Sequence, residues 1–228
     1  MESLAERLPL VLSQFIPFVM AIVFHEAAHA WVASRHGDFT ARNMGRETLN
    51  PLPHIDPIGT VLFPLINMIT GINILFGWAK PVPVNYNQLK PYRRGLFLVS
   101  MAGIAMNILL AFLAAFLLVL LLISPEFYLT KPFVEMCKAA IAINYSLAFF
   151  NLIPLPPLDG SKAIQAFLSL KATMKYESIA PYSFFILMGL LLSGVLNVLI
   201  YPISFMSELS VQFWIFVFTK LGIGIHVL

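Results

Sequence analysis

The sequence predicts an all-α polytopic membrane protein with about five transmembrane helices, one re-entrant element and short extended segments around the core. Three observations carry that prediction. Hydrophobic residues make up 59% of the 228 residues and charged residues 11%, where soluble domains carry about 25% charge. Six apolar stretches, residues 8–34, 58–78, 95–123, 136–153, 182–203 and 209–226, reach or approach the roughly 20 residues that cross a bilayer. The basic residues gather on one side of these stretches once the second is allowed to return to the face it entered from.

The first stretch follows Met1–Arg7, whose two glutamates against one arginine are the wrong charge for a signal-peptide n-region. The apolar run is also longer than an h-region needs, so it reads as a retained helix despite the small-x-small pattern Ala28-His29-Ala30. The second stretch holds Pro64, three glycines and two asparagines, with Pro51, Pro53 and Pro57 before it and Pro81, Pro83 and Pro91 after. Broken backbone at membrane depth needs cover from protein or a wet cavity, which points to a re-entrant element. With re-entry, Arg35, Arg42, Arg46, Lys80, Lys90, Arg93 and Arg94 share a side with Lys162, Lys171 and Lys175, and the opposite side keeps Arg7 and Lys131. That asymmetry sets the large loop in the cytoplasm and the N-terminus outside.

Between the second and third stretches, Trp78–Val84 reads as an extended segment in which Pro81 and Pro83 leave one edge without donors. It is expected to act as an edge strand for an unwound peptide. The third stretch carries Gly103-Ile104-Ala105-Met106-Asn107, a small-xxx-polar face suited to close helix contact. The fourth runs into Asn151-Leu-Ile-Pro154-Leu-Pro156-Pro157-Leu-Asp159-Gly160, where prolines end the helix and the glycine lets the chain turn. The last two stretches complete the bundle. The whole is expected to form one integral-membrane domain, 1–228, with its core at about 8–175 and C-terminal helices at about 180–228.

Several classes of function drop out. A formal charge of +3 spread over loops gives no support to nucleic-acid binding. A single cysteine, Cys137, excludes an intramolecular disulfide and a cysteine-rich metal site.

The chemistry concentrates in His25-Glu26-Ala27-Ala28-His29, where Glu26 is the lone carboxylate of the run 8–34. A carboxylate at bilayer depth costs at least about 2.5–3.5 kcal/mol, so its retention implies use. Two imidazoles four residues apart share a helix face and suit two ligands of a tetrahedral zinc ion. Glu26 is placed to act on metal-bound water. The bland alternative is a pair of snorkelling histidines with Glu26 in a salt bridge.

A two-histidine zinc site needs a third ligand, commonly a carboxylate. Most other acids fall on the far side or in the cytoplasmic loop. Asp159 emerges from the fourth stretch at the depth of the histidines, because the first and fourth stretches run in the same direction. Its alternative role is to cap the helix that follows. Asn151 offers an amide donor for a developing oxyanion, or else a helix cap or interhelical hydrogen bond. His54 is either a loop histidine satisfied by backbone or a group at the site entrance, and His36 and His226 look incidental.

With these residues in hand, the chain resembles the site-2 protease family of intramembrane zinc metalloproteases over most of residues 15–170. The resemblance rests on HEAAH at 25–29, on Gly103 to Asn107, and on Asn151 to Gly160. The stretches Asn50-Pro-Leu-Pro-His54-Ile-Asp56-Pro-Ile-Gly59-Thr and FGWAKPVPVN are similar to compact bacterial-type members without an added peptide-binding domain. It implies one Zn2+ per chain on His25, His29 and Asp159, with Glu26 as the base that activates zinc-bound water. It also implies a transmembrane protein as substrate, a lipid bilayer as surroundings, and a bacterial cell membrane with the site towards the cytoplasm. Two other readings stay open: a zinc or proton transporter using the same residues, and a catalytically silent relative that binds membrane partners.

Overall fold

The computed structural model describes residues 4–70, 77–123 and 130–223. Residues 71–76 of the re-entrant stretch and His226 lie outside the described residues. The helices are α1 (Leu4–Arg35), α2 (Thr40–Asn43), α3 (Phe63–Thr70), α4 (Tyr92–Ile123), α5 (Thr130–Asn151), α6 (Asp159–Gln165), α7 (Leu170–Glu177), α8 (Ser183–Leu192) and α9 (Ile200–Lys220). Among the described residues there is no β-strand.

Three long helices, α1, α4 and α5, pack on one another and form the core. The reason is written along α4, where Gly95, Val99, Gly103, Asn107, Ala111, Ala115 and Val119 recur every fourth residue and are all buried. Such a stripe of mostly small residues lets neighbouring backbones approach closely, the usual source of helix association in lipid. Contacts fix the directions. Ala33 packs with Leu96, His29 meets Val99, and His25 meets Asn107, so α1 and α4 are antiparallel. Ile143 packs against Phe18, Ala21 and Ile22, while Asp159, beyond the end of α5, reaches His29; α1 and α5 therefore run the same way. This is the relation that the charge distribution requires.

α9 lies on the outer face of α4 and α5. Trp214 packs against Phe112 and Phe116, Phe218 stacks on Phe116, and the Trp214 indole donates to the Phe112 carbonyl at 3.1 Å.

Four helices among the described residues are long and apolar enough to cross a membrane: 11–35, 92–123, 131–151 and 195–220. The sequence led us to expect about five, and the difference lies at the C-terminal end. The apolar stretch 182–203 is not a single helix. α8 stops at Leu192, Gly194 adopts a left-handed φ of 73°, and a 3-10 segment Val195–Leu199 feeds directly into α9. A left-handed residue cannot continue a right-handed helix. Ten residues rise only about 15 Å, half a hydrocarbon core. Hydropathy could not show that helix continues through residues 203–209, where Ser204, Ser207 and Glu208 lower it.

The second stretch returns on itself. Its entry is a π-helical turn, Pro57–Leu62, capped by Asp56, whose Oδ1 accepts from the Ile58 and Gly59 amides at 3.0 and 2.7 Å. At its exit, Trp78 N–H donates to the Gly59 carbonyl at 3.0 Å, and Thr60 Oγ1 donates to the Trp78 carbonyl at 2.7 Å. Entry and exit are thus bonded to each other. The glycines allow it: a Cβ on Gly59 would lie 2.3 Å from the Trp78 indole, and one on Gly77 would lie 2.7 Å from the Gly59 carbonyl.

Candidate metal and catalytic centre

His25 and His29 sit ten and six residues before the end of α1, which places them about 9–15 Å along the axis from its last residue, Arg35. Both are buried, with rings edge to face and centroids 4.6 Å apart. Each ring is oriented through Nδ1. His25 Nδ1 donates to Asn107 Oδ1 at 2.6 Å, and His29 Nδ1 donates to the Val99 carbonyl at 2.7 Å. In the neutral imidazole this leaves Nε2 with a lone pair. The two Nε2 atoms are 3.0 Å apart, and Asp159 Oδ2 is 3.1 Å from one and 3.3 Å from the other.

That arrangement fits a metal ion. Three lone-pair atoms converge, and Asp159 Oδ2 is a buried oxygen with no hydrogen-bond donor among the described residues. With both rings neutral and their protons on Nδ1, a cation between these three atoms would satisfy all of them at once. Bonds of about 2.0–2.1 Å in a tetrahedral zinc site put neighbouring ligands roughly 3.3 Å apart, close to the separations seen.

Two glycines make the meeting possible. Gly103 lies directly beneath the histidines: a Cβ there would be 2.5 Å from His25 Cε1 and from His29 Nε2. A Cβ on Gly160 would lie 2.3 Å from the Leu152 carbonyl oxygen. Gly160 thus lets α6 fold back against the end of α5 and aims Asp159 at α1. Asp159 is the first residue of α6, and its N-cap is Leu158, which makes no side-chain cap. The helix-capping alternative for Asp159 does not occur.

Glu26 faces the extended segment. Its Oε2 accepts from the Val82 amide at 2.7 Å. Successive even-numbered amides of that segment all turn inward: Trp78 to Gly59, Lys80 to the His54 carbonyl at 2.9 Å, and Val82 to Glu26. Pro81 and Pro83 occupy the other edge, so an added strand would find few donors there. The expected edge strand is an extended strap without a sheet partner, and its donor edge serves the protein itself.

Asn151 donates from Nδ2 to the Leu147 carbonyl one turn back at 3.0 Å. The local, within-helix partner is the one present. His54 is fully buried; its Nε2 donates to the Thr48 carbonyl at 2.9 Å, and its Nδ1 has no hydrogen-bond partner among the described residues. His36 bonds back to Val32 within its own turn, in keeping with an incidental role.

Two residues escaped the sequence reading. Arg46, counted there only as a topology charge, is buried and donates to the Lys80 and Pro81 carbonyls, each at 2.6 Å. It clamps the strap that holds Glu26. Tyr86 follows the strap, and its phenol is pushed up to about 12 by burial and by the negative charges of Asp159, Glu26 and Asp38. It stays a neutral hydroxyl at every physiological pH. The signal for Arg46 was available in principle, since a proline-rich extended segment exposes carbonyls that need donors from elsewhere.

The sequence pattern of peptidase family M50 matches residues 128–194. The chain is 36% identical over 190 residues to YwhC of Bacillus subtilis, covering 82% of this chain and 83% of the relative. It is 29% identical over 189 residues to Rip2 of Mycolicibacterium smegmatis (79% and 66%) and 27% identical over 143 residues to MJ0611 of Methanocaldococcus jannaschii (63% and 64%). All three carry the name "Putative zinc metalloprotease". No solved structure matches the chain. The chain belongs to peptidase family M50, the site-2 proteases. It is an integral membrane zinc metalloprotease that acts on membrane proteins in the bilayer, and its cofactor is Zn2+. None of the three relatives is named for transport.

Proposed function

We propose that His25, His29 and Asp159 hold the zinc ion, that Glu26 is the general acid and base, and that the substrate bond lies in or at the edge of a transmembrane helix. One observation carries the assignment: two imidazole nitrogens and a donor-less carboxylate oxygen converge within 3.3 Å of one another, next to a glutamate whose Oε2 is anchored. Zinc, when bound, polarises the scissile carbonyl and brings the acidity of water towards neutral pH. The chain's own residues do the rest. Glu26, held at Oε2 by Val82, takes the water proton at Oε1 and passes it to the departing amine. Asn151 is placed near the end of α5 to turn its amide towards the developing oxyanion, exchanging its bond to Leu147 for one made in the transition state.

A substrate helix hides its carbonyls in hydrogen bonds, so it must unwind before attack. The outward edge of the strap is where an unwound piece would lie. The whole chain works as one membrane domain. The basic residues of the loops support a site towards the cytoplasm, and the sources of YwhC and Rip2 support a bacterial cell membrane.

The test compares wild type with Glu26→Gln on a model transmembrane substrate in detergent or proteoliposomes. The proposal expects one zinc per chain in both and cleavage only by wild type. Equal cleavage by both would remove Glu26 from the mechanism, and zinc flux without cleavage would favour transport.

A further inference from the structure

A buried polar chain runs behind His25, away from the ion side. Asn107 is 0% and Asn144 3% exposed, in the apolar contact between α1, α4 and α5. Asn144 Nδ2 donates to the Ala140 carbonyl of its own helix at 2.8 Å, and Asn144 Oδ1 accepts from Asn107 Nδ2 at 2.8 Å. Asn107 Nδ2 also donates to the Ala21 carbonyl at 3.2 Å, and Asn107 Oδ1 accepts from His25 Nδ1 at 2.6 Å.

The chain has a direction, and backbone sets it. A carbonyl can only accept, so Ala140 requires the amine side of Asn144, which turns the Asn144 oxygen to Asn107. Asn107 must then present its amine to Asn144 and its oxygen to His25. Reversing Asn107 would set its oxygen against two other oxygens and its amine against His25 Nδ1. His25 would then have to carry its proton on Nε2, where it could not bind a metal. In a low-dielectric interior such a mismatch is costly, because nothing else satisfies the groups.

We infer that Asn144 is a positioning residue: through Asn107 it fixes His25 with its proton on Nδ1 and its Nε2 lone pair towards His29 and Asp159. This rests on the reading of His25 as a zinc ligand. His29 needs no such relay, because its Nδ1 meets the Val99 backbone carbonyl directly. The two histidines therefore differ in what holds them, and only one depends on Asn144.

The experiment uses Asn144→Leu, which removes both polar atoms, and Asn144→Asp, which in its protonated form keeps an acceptor for Asn107 and a donor for Ala140. Zinc affinity of the purified full chain is measured by competition with a chelator, and the tautomer of each histidine by 15N NMR of histidine-labelled apoprotein. The expectation for Asn144→Leu is about a tenfold loss of zinc affinity, the lower end for an outer-shell partner because the Ala21 carbonyl still holds Asn107. The His25 signal should gain Nε2–H character while that of His29 stays unchanged, and Asn144→Asp should restore both readouts. Wild-type affinity and an unchanged His25 signal in Asn144→Leu would overturn the inference. So would equal disturbance of His25 and His29 without rescue by Asn144→Asp, which marks a general loss of packing. Failure of wild type to bind zinc would instead overturn the site assignment beneath it.

Discussion

Gly103→Ala adds a single methyl group, and the structure says where it goes. The new Cβ would stand 2.5 Å from His25 Cε1 and His29 Nε2, where ordinary contact begins at 3.4 Å, so something must retreat by about 0.9 Å. If the rings rotate away, they leave Asp159. If α4 backs off, it takes with it the Val99 carbonyl and Asn107 Oδ1, which orient both rings. Overpacking of this kind costs about 1–3 kcal/mol of stability, which a membrane bundle can survive. The site is less tolerant: disturbed ligand orientation costs about 10–100-fold in metal affinity, and a 1 Å displacement costs on the order of 100-fold in turnover. Zinc affinity by chelator competition and cleavage of a transmembrane substrate at saturating zinc measure the two effects. Gly189→Ala is the control, because a methyl there meets nothing within 4 Å. Wild-type affinity and turnover in Gly103→Ala would refute the claim that α4 supports the histidines by close approach.

Val82→Pro removes the amide hydrogen that holds Glu26 Oε2, in a segment already flanked by prolines. A hydrogen bond to a charged group is worth about 1.5–3 kcal/mol, so turnover should fall about 10- to 100-fold with zinc content unchanged, while Val82→Ala should retain activity. Gly160→Ala would press a methyl to 2.3 Å from the Leu152 carbonyl, a backbone atom with nowhere to move. α6 should lift and carry Asp159 off the histidines, seen as zinc loss in metal analysis with the helical content intact.

Much of the candidate centre was legible because polar groups are conspicuous against an apolar background. HEAAH announces itself by periodicity, and Asp159 is reached from loop charge and chain direction alone. The re-entrant reading came from Pro64 and its glycines, and the bonds joining Gly59 and Thr60 to Trp78 bring the two ends of that stretch together. Other features were hidden for physical reasons. A stretch as apolar as 182–203 gives no sign that Gly194 will turn left-handed and end a helix, because hydropathy does not encode φ. Arg46 looks like any loop arginine until the strap it clamps is in place. Asn144 is one of several polar residues in its spanning helix, and its partner lies 37 positions away. Asn151 carries an amide that sequence places at the right helix end without saying which carbonyl it finds at rest.

X-ray absorption at the zinc edge tests the metal assignment most directly, on wild type and Asp159→Ala. The account predicts two imidazole nitrogens and a carboxylate oxygen at about 2.0–2.2 Å in wild type, with the carboxylate contribution lost in the variant. A wild-type spectrum with fewer than two imidazoles, or one that Asp159→Ala leaves unchanged, would contradict it.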